Sequence, residues 1–201
     1  DIVHTSKEEL DNLKSRIITT FWDENRGFFR EEISSSSGYS SDWLIVYSTS
    51  FLDIENSIER SYYEKVIEYI ENNNIAKPFP IKYQNDAQQN THLFVRLFAP
   101  NYQTNTLWSF WGLEYIKVLY DMYYYEKSES VKSLADTYYQ IYEKNIKRDA
   151  GLDELYDSYS GMPYDRLFYR SVGQTGWIIN MQQIDARREK FTIMGNTREL
   201  N

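Results

Sequence analysis

"LWSFWGLEYIKVLYDMYYY", residues 107–125, decides the class of fold. Apart from Ser109, Glu114, Lys117 and Asp121, every side chain in it is apolar or aromatic, or is glycine. The run is too long for a strand. It also falls short of the ~18 uninterrupted apolar residues of a membrane span. Apolar character on all sides predicts a helix buried on most of its circumference.

Working outward, Val131, Leu134, Ala135, Tyr138, Ile141, Tyr142 and Ile146 recur at helical spacing, with Lys132, Asp136, Glu143 and Lys147 opposite. This second helix should end at Asp149 to Gly151, and residues 176–184 read as a last buried helix. Upstream, Ser6 to Glu9 forms a capping box, followed by Leu10, Leu13, Ile17 and Phe21 on one face and a stop near Asp23. Residues 43–52 read as a short buried helix. Ile58, Tyr62, Val66, Tyr69 and Ile70 mark another, closed by "ENNN" and "KPFP". "GFFREE" (27–32) is extended, and "SSSSGYSS" (34–41) is a polar loop. Residues 78–105 hold three of the four prolines and show no sustained period. A connection of that length in a compact domain is usually functional or disordered. The expectation is an all-α fold of helical hairpins, one domain over 1–201.

Composition narrows the partners. Aromatic residues make up 17% of the chain, with 19 tyrosines. Tyrosine offers an apolar face and a hydroxyl, which suits a wet, half-polar cleft and the stacking of sugar rings. The net charge of -8 and the absence of a basic stripe argue against nucleic acid. There is no cysteine, and the only histidines, His4 and His92, are isolated, so neither a metal site nor another cofactor is expected. No secretory signal opens the chain, which gives a cytoplasmic expectation and no membrane partner. Because the first residue is Asp rather than Met, the chain reads as the later part of something longer.

The chemistry-bearing stretch is "GLDELYDSYSG", residues 151–161, between a surface helix and a buried one. Taken from composition alone, its three carboxylates form a solvated acidic turn. Glycoside hydrolysis, however, needs two carboxyl groups flanking a scissile bond, and Glu154 beside Tyr156 could supply one.

This stretch resembles the late motif of the (α/α)6-barrel glycosidases, read in glycoside hydrolase family 63 and its relatives as Glu-x-Tyr-Asn/Asp-x-x-Thr/Ser-Gly. Glu154, Tyr156, Asp157, Ser160 and Gly161 fall in register. A second block, residues 101–120, is similar to the family's Tyr-Trp-Arg-Gly-Pro-x-Trp segment and its long helix, with Tyr102 and Trp108 matching. In a third, 171–182, Trp177 matches. Thr104-Asn105-Thr106 stands where the family has Arg-Gly-Pro, and Thr175-Gly176 where it has Phe-Ser.

The resemblance implies the C-terminal part of an (α/α)6 toroid and inverting hydrolysis of a neutral α-glucosidase- or trehalase-like substrate. Glu154 would be the general base, with Tyr102, Trp108, Tyr156 and Trp177 binding substrate. The family's general acid is an Asp in the earlier half of the barrel, outside this sequence. That missing half is therefore the other expected partner. Asp23, Asp42 and Asp86 are the acids inside the chain that could replace it. Trp111 reads as core. Two alternatives stay open: a non-catalytic helical module that binds carbohydrate or protein, and a sugar epimerase or lyase on the same toroid.

Overall fold

A computed structural model describes residues 6–30, 39–84, 93–102, 104–167, 169–173 and 176–198. His4, His92, Asp86, Thr175 and residues 34–38 of the polar loop lie outside the described residues. The chain is mostly helical: α1 (Lys7–Phe21), α2 (Ile45–Ser48), α3 (Ser57–Asn72), α4 (Leu93–Phe98), α5 (Ser109–Glu126), α6 (Glu129–Asp149) and α7 (Gly176–Arg198). The capping box is present at α1. The Ser6 hydroxyl accepts from the Glu9 N–H at 3.2 Å, and the Glu9 carboxylate accepts from the Ser6 N–H at 2.7 Å.

α5 is the central element, packing against α2, α3, α6 and α7. Leu113, Tyr115, Ile116, Val118, Leu119, Tyr120 and Met122 are all buried, as its continuous apolar pattern requires. Each such aliphatic or methionine side chain contributes roughly 1.5–3 kcal/mol on burial. Its two charged residues facing inward satisfy each other: Lys117 Nζ donates to Glu114 Oε1 at 2.8 Å and to Asn180 Oδ1 of α7 at 3.0 Å. Gly112 sets the approach of α6. The Tyr142 hydroxyl donates to the Ser109 carbonyl, and a β-carbon at Gly112 would lie 2.5 Å from that hydroxyl.

α6 buries Ala135, Tyr138, Tyr139, Tyr142 and Asn145, with Val131, Leu134 and Ile141 packed partly buried against the core. Lys132 and Glu143, expected in solvent, are half-buried, and Lys132 pairs with Asp136 at 2.8 Å. α7 runs beyond 184 to Arg198.

Short strands amend the all-α expectation. β1 (Trp22–Asp23) pairs with β2 (Phe28–Phe29), and β6 (Asp165–Arg166) with β7 (Tyr169–Arg170). More consequential is an antiparallel sheet in the order β3 (Ile81–Lys82), β4 (Leu107–Trp108), β5 (Leu155–Tyr156). Leu107 pairs with Tyr156 and Trp108 with Leu155. Leu107 and Trp108 therefore belong to a strand and not to the following helix, because the β5 segment takes up their backbone groups before the helix begins. The segment 78–105 also contains structure of its own, β3 and α4. No helix among the described residues is long and apolar enough to cross a membrane.

Candidate functional site

The sheet joins three parts of the chain far apart in sequence, and Glu154 stands at the junction. α6 closes with Ala150 in the left-handed region, φ 55°, which turns the chain toward the sheet. The Glu154 N–H donates to the Val172 carbonyl at 3.2 Å, and the Ser109 N–H donates to the Glu154 carbonyl at 3.0 Å. The start of α5 and the segment 171–173 thus clamp the Glu154 backbone from two directions. Leu155 continues the clamp, its N–H donating to Ser171 Oγ at 3.0 Å.

Asp157 organises the loop that follows. Its Oδ1 accepts from the N–H groups of Tyr159 and Ser160 at 3.0 and 2.9 Å, and Oδ2 accepts from Arg166. Partial burial acts to raise the Asp157 pKa, but the Ser160 backbone and Arg166 bonds outweigh it and hold the carboxyl below its ordinary value. Gly161 sits at φ 67°, a backbone conformation that glycine adopts without strain. The Asp, Ser and Gly of the motif therefore build the loop. Asp153 is half-buried. Burial and then the Asp149 charge raise its pKa, against a hydrogen bond with Ser171.

The Glu154 side chain is half-buried, and its carboxylate accepts a hydrogen bond from the Tyr169 hydroxyl on β7. Aromatic rings extend the site from there. Tyr169 lies edge-on to Tyr102, centroids 5.3 Å apart, and Tyr102 lies edge-on to Trp108 at 5.1 Å. Trp108 meets Tyr83 at 5.2 Å, and the Tyr83 hydroxyl donates to Asp42 Oδ2 at 2.5 Å. Trp108 Nε1 donates to the Tyr102 carbonyl at 3.0 Å. Its indole N–H is thus committed, and the ring face is what it can offer a ligand. Tyr83, Tyr102, Trp108 and Tyr169 are all half-buried. Burial and the Glu154 charge push the Tyr102 and Tyr169 hydroxyls above their ordinary pKa, so both stay protonated, and the one proton of Tyr169 is the one given to Glu154.

Of the five residues expected at the site, the structure brings Glu154, Tyr102 and Trp108 into one group. Tyr156 is not brought to the surface: it is fully buried, its hydroxyl accepts from the Asp153 N–H at 3.4 Å, and the Arg148 guanidinium lies over its ring. Trp177 packs partly buried against the core, as does Trp111. Thr104-Asn105-Thr106, in place of Arg-Gly-Pro, is structural. Thr104 and Thr106 are buried, and Asn105 donates to Ser158 Oγ at 2.8 Å, holding the two loops together. Among the candidate acids, Asp23 accepts from the N–H groups of Asn25 and Arg26 and pairs with Arg30 at 3.3 Å, the pattern of a turn cap. Tyr169 and Tyr83 carried no motif. Their position depends on long-range pairing that local periodicity does not encode.

A separate cavity of about 440 Å³ lies between α5, α6 and α7, lined by Tyr120, Lys132, Asp136, Asp185 and Arg188 among others. Its charges are paired internally: Lys132 and the Tyr120 hydroxyl both bond Asp136, and the Tyr139 hydroxyl bonds Asp185. These contacts brace three helices, which explains the cavity without a ligand. Tyr169, by contrast, lines an open depression of about 670 Å³ with Asp165, Arg166, Leu167 and Arg170. Among the described residues, no His, Asp or Glu side chains gather into a metal-ligand set. Comparison with protein-family models, curated proteins and solved structures returned no match.

Proposed function

We propose that the chain binds a neutral carbohydrate along the line of rings Tyr83, Trp108, Tyr102 and Tyr169, and that Glu154 is the general base of an inverting glycoside hydrolase. The carrying observation is the Tyr169 hydroxyl on the Glu154 carboxylate, with half-exposed aromatic rings leading away from it. Aromatic faces suit the C–H faces of sugar rings, and the phenol oxygens of Tyr83 and Tyr169, whose protons go to Asp42 and Glu154, can accept from sugar hydroxyls. A base fixed on one side by a phenol and on its backbone by two elements is held for abstraction of a proton from water. In this reading the water attacks the anomeric carbon, Glu154 takes its proton, and an acid on the opposite face of the sugar protonates the leaving oxygen.

The reading places the chain in an (α/α)6 toroid whose other half supplies that acid. Leu10 and Leu13 on α1 are about half exposed, and Leu93, Phe94 and Leu97 on α4 more so. Such apolar faces are what the other half of a toroid would cover.

The test is direct. Trehalose, maltose and an aryl α-glucoside are offered to the protein, and the product anomer is read by proton NMR. Release of the β-anomer supports the proposal. Retention of configuration, or no turnover of any glycoside together with no sugar binding, removes it.

A further inference from the structure

Along the line of rings, the hydrogen-bond donors are already engaged. The Tyr83 hydroxyl gives its proton to Asp42, the Trp108 indole N–H goes to the Tyr102 carbonyl, and the Tyr169 hydroxyl gives its proton to Glu154. The Tyr102 hydroxyl is hydrogen-bonded with that of Tyr169. These side chains present ring faces, phenol oxygens and a carboxylate. A neutral sugar needs donors as well, because each of its hydroxyl oxygens accepts as well as donates and its ring oxygen only accepts.

The depression beside Tyr169 carries two guanidinium groups. It holds about 670 Å³ and is lined by Asp165, Arg166, Leu167, Tyr169 and Arg170. Arg166 is committed to the fold: it donates to Asp157 and to the Asp165 carbonyl, and lies over the Tyr164 ring at 4.4 Å. Arg170 differs. Its side chain is 80% exposed, and among the described residues its contact is one nitrogen 3.4 Å from Asp165 Oδ2, on a side chain itself 58% exposed. Asp165 is its cross-strand neighbour on β6, and an ion pair so open to water contributes little. A guanidinium carries five N–H groups in a planar fork, so one such contact leaves most of them for a ligand. Tyr169 directly precedes Arg170 in β7 and lines the same depression, which puts the fork one residue from the phenol that holds Glu154.

We propose that Arg170 is the hydrogen-bond donor of the sugar site: two N–H groups of its guanidinium bind adjacent hydroxyl oxygens of the carbohydrate beside Tyr169. The fork geometry that suits paired oxygens gives this contact its selectivity. The inference rests on the carbohydrate reading of the Glu154 site.

Titration calorimetry with maltose and trehalose tests it on the intact chain, as wild type, Arg170→Met and Asp165→Asn. Methionine keeps an unbranched side chain and removes every donor. Asparagine removes the charge that Arg170 pairs with and leaves the guanidinium to the ligand. Arg170→Met weakens the sugar that the wild type binds by roughly tenfold, the lower end of the range for a hydrogen bond to a charged group. Asp165→Asn holds wild-type affinity or exceeds it. Circular dichroism and thermal midpoints match wild type for both variants, since both side chains are exposed. Unchanged affinity in Arg170→Met overturns the assignment and leaves the Glu154 reading intact. Equal weakening in the two variants also overturns it, because the cross-strand pair and not the donor would then matter. A wild type that binds neither sugar removes the parent reading and the donor with it.

Discussion

The Tyr169 hydroxyl donates its proton to the Glu154 carboxylate, joining β7 to the loop that precedes β5 across fifteen residues. Tyr169→Phe deletes the donor and retains the ring contacts with Tyr102 and Tyr164. The variant should lose about tenfold in turnover, the worth of one hydrogen bond to a charged group, with little change in thermal midpoint. Kinetics of the variant at saturating sugar check this, and unchanged turnover would separate the bond from the chemistry.

Gly112 lies inside α5, where helix propensity alone gives alanine an advantage of up to ~1 kcal/mol. Packing reverses the sign. A β-carbon there would meet the Tyr142 hydroxyl at 2.5 Å, Phe79 Cζ at 3.0 Å and Pro80 Cβ at 3.2 Å. Gly112→Ala should therefore destabilise by about 1–3 kcal/mol, the cost of overpacking a filled core. Urea denaturation measures it, and a stabilised variant would show that α5 and α6 separate easily.

Lys117 and Glu114 are a buried pair, with side chains 5% and 3% exposed. Lys117→Met leaves Glu114 uncompensated and should cost roughly 3–5 kcal/mol. Replacing both, as Glu114→Leu with Lys117→Met, should recover most of that loss, because the desolvation cost goes with the charges. A double-mutant cycle by chemical denaturation decides. Equal instability of the single and double variants would mean that the Asn180 bond matters more than the pair.

Asp157 makes the loop sensitive to acid. Its folded pKa lies below the ordinary value of 3.8, so the carboxylate binds protons less readily in the native state than in the unfolded chain. The stability it contributes is present above pH 3.8 and is lost as pH falls through the lower folded value. Stability curves of wild type and Asp157→Asn should differ above about pH 5 and converge in strong acid. Parallel curves down to low pH would mean that Asp157 contributes nothing through its charge.

The helices were legible because burial imposes a 3.6-residue period. α3, α5 and α6 lie within about two residues of where their apolar spacing puts them. The capping box at Ser6 and Glu9 was legible because it is local. The strands were not, since two residues cannot display alternation. Leu107 and Trp108 read as helix because their apolar character runs on into Ser109 to Glu126. Glu154, Tyr102 and Trp108 could be named as candidates because motif spacing brought attention to them, and they lie in one group. Tyr156 was misplaced at the surface: Glu154, two residues before it, is half-buried against Tyr169, while the Tyr156 ring is packed among buried residues and under Arg148. Tyr169 and Tyr83 could not be singled out among nineteen tyrosines. What distinguishes them is the pairing of Tyr164 with Ser171 and of Ser41 with Tyr83, contacts set by the folded chain alone.

If Glu154 is the working carboxylate of "DELYDSYSG", Glu154→Gln abolishes its role as base. Glutamine keeps the side-chain shape and an acceptor for Tyr169 but cannot take a proton from water. Turnover of the best glycoside found for the wild type, measured in the naturally produced protein, should fall by roughly 10²-fold or more. Sugar affinity should stay within a few-fold, and because the amide oxygen still accepts from Tyr169 the thermal midpoint should stay close to wild type. Wild-type turnover in Glu154→Gln would contradict the account and return the stretch to an ordinary acidic loop.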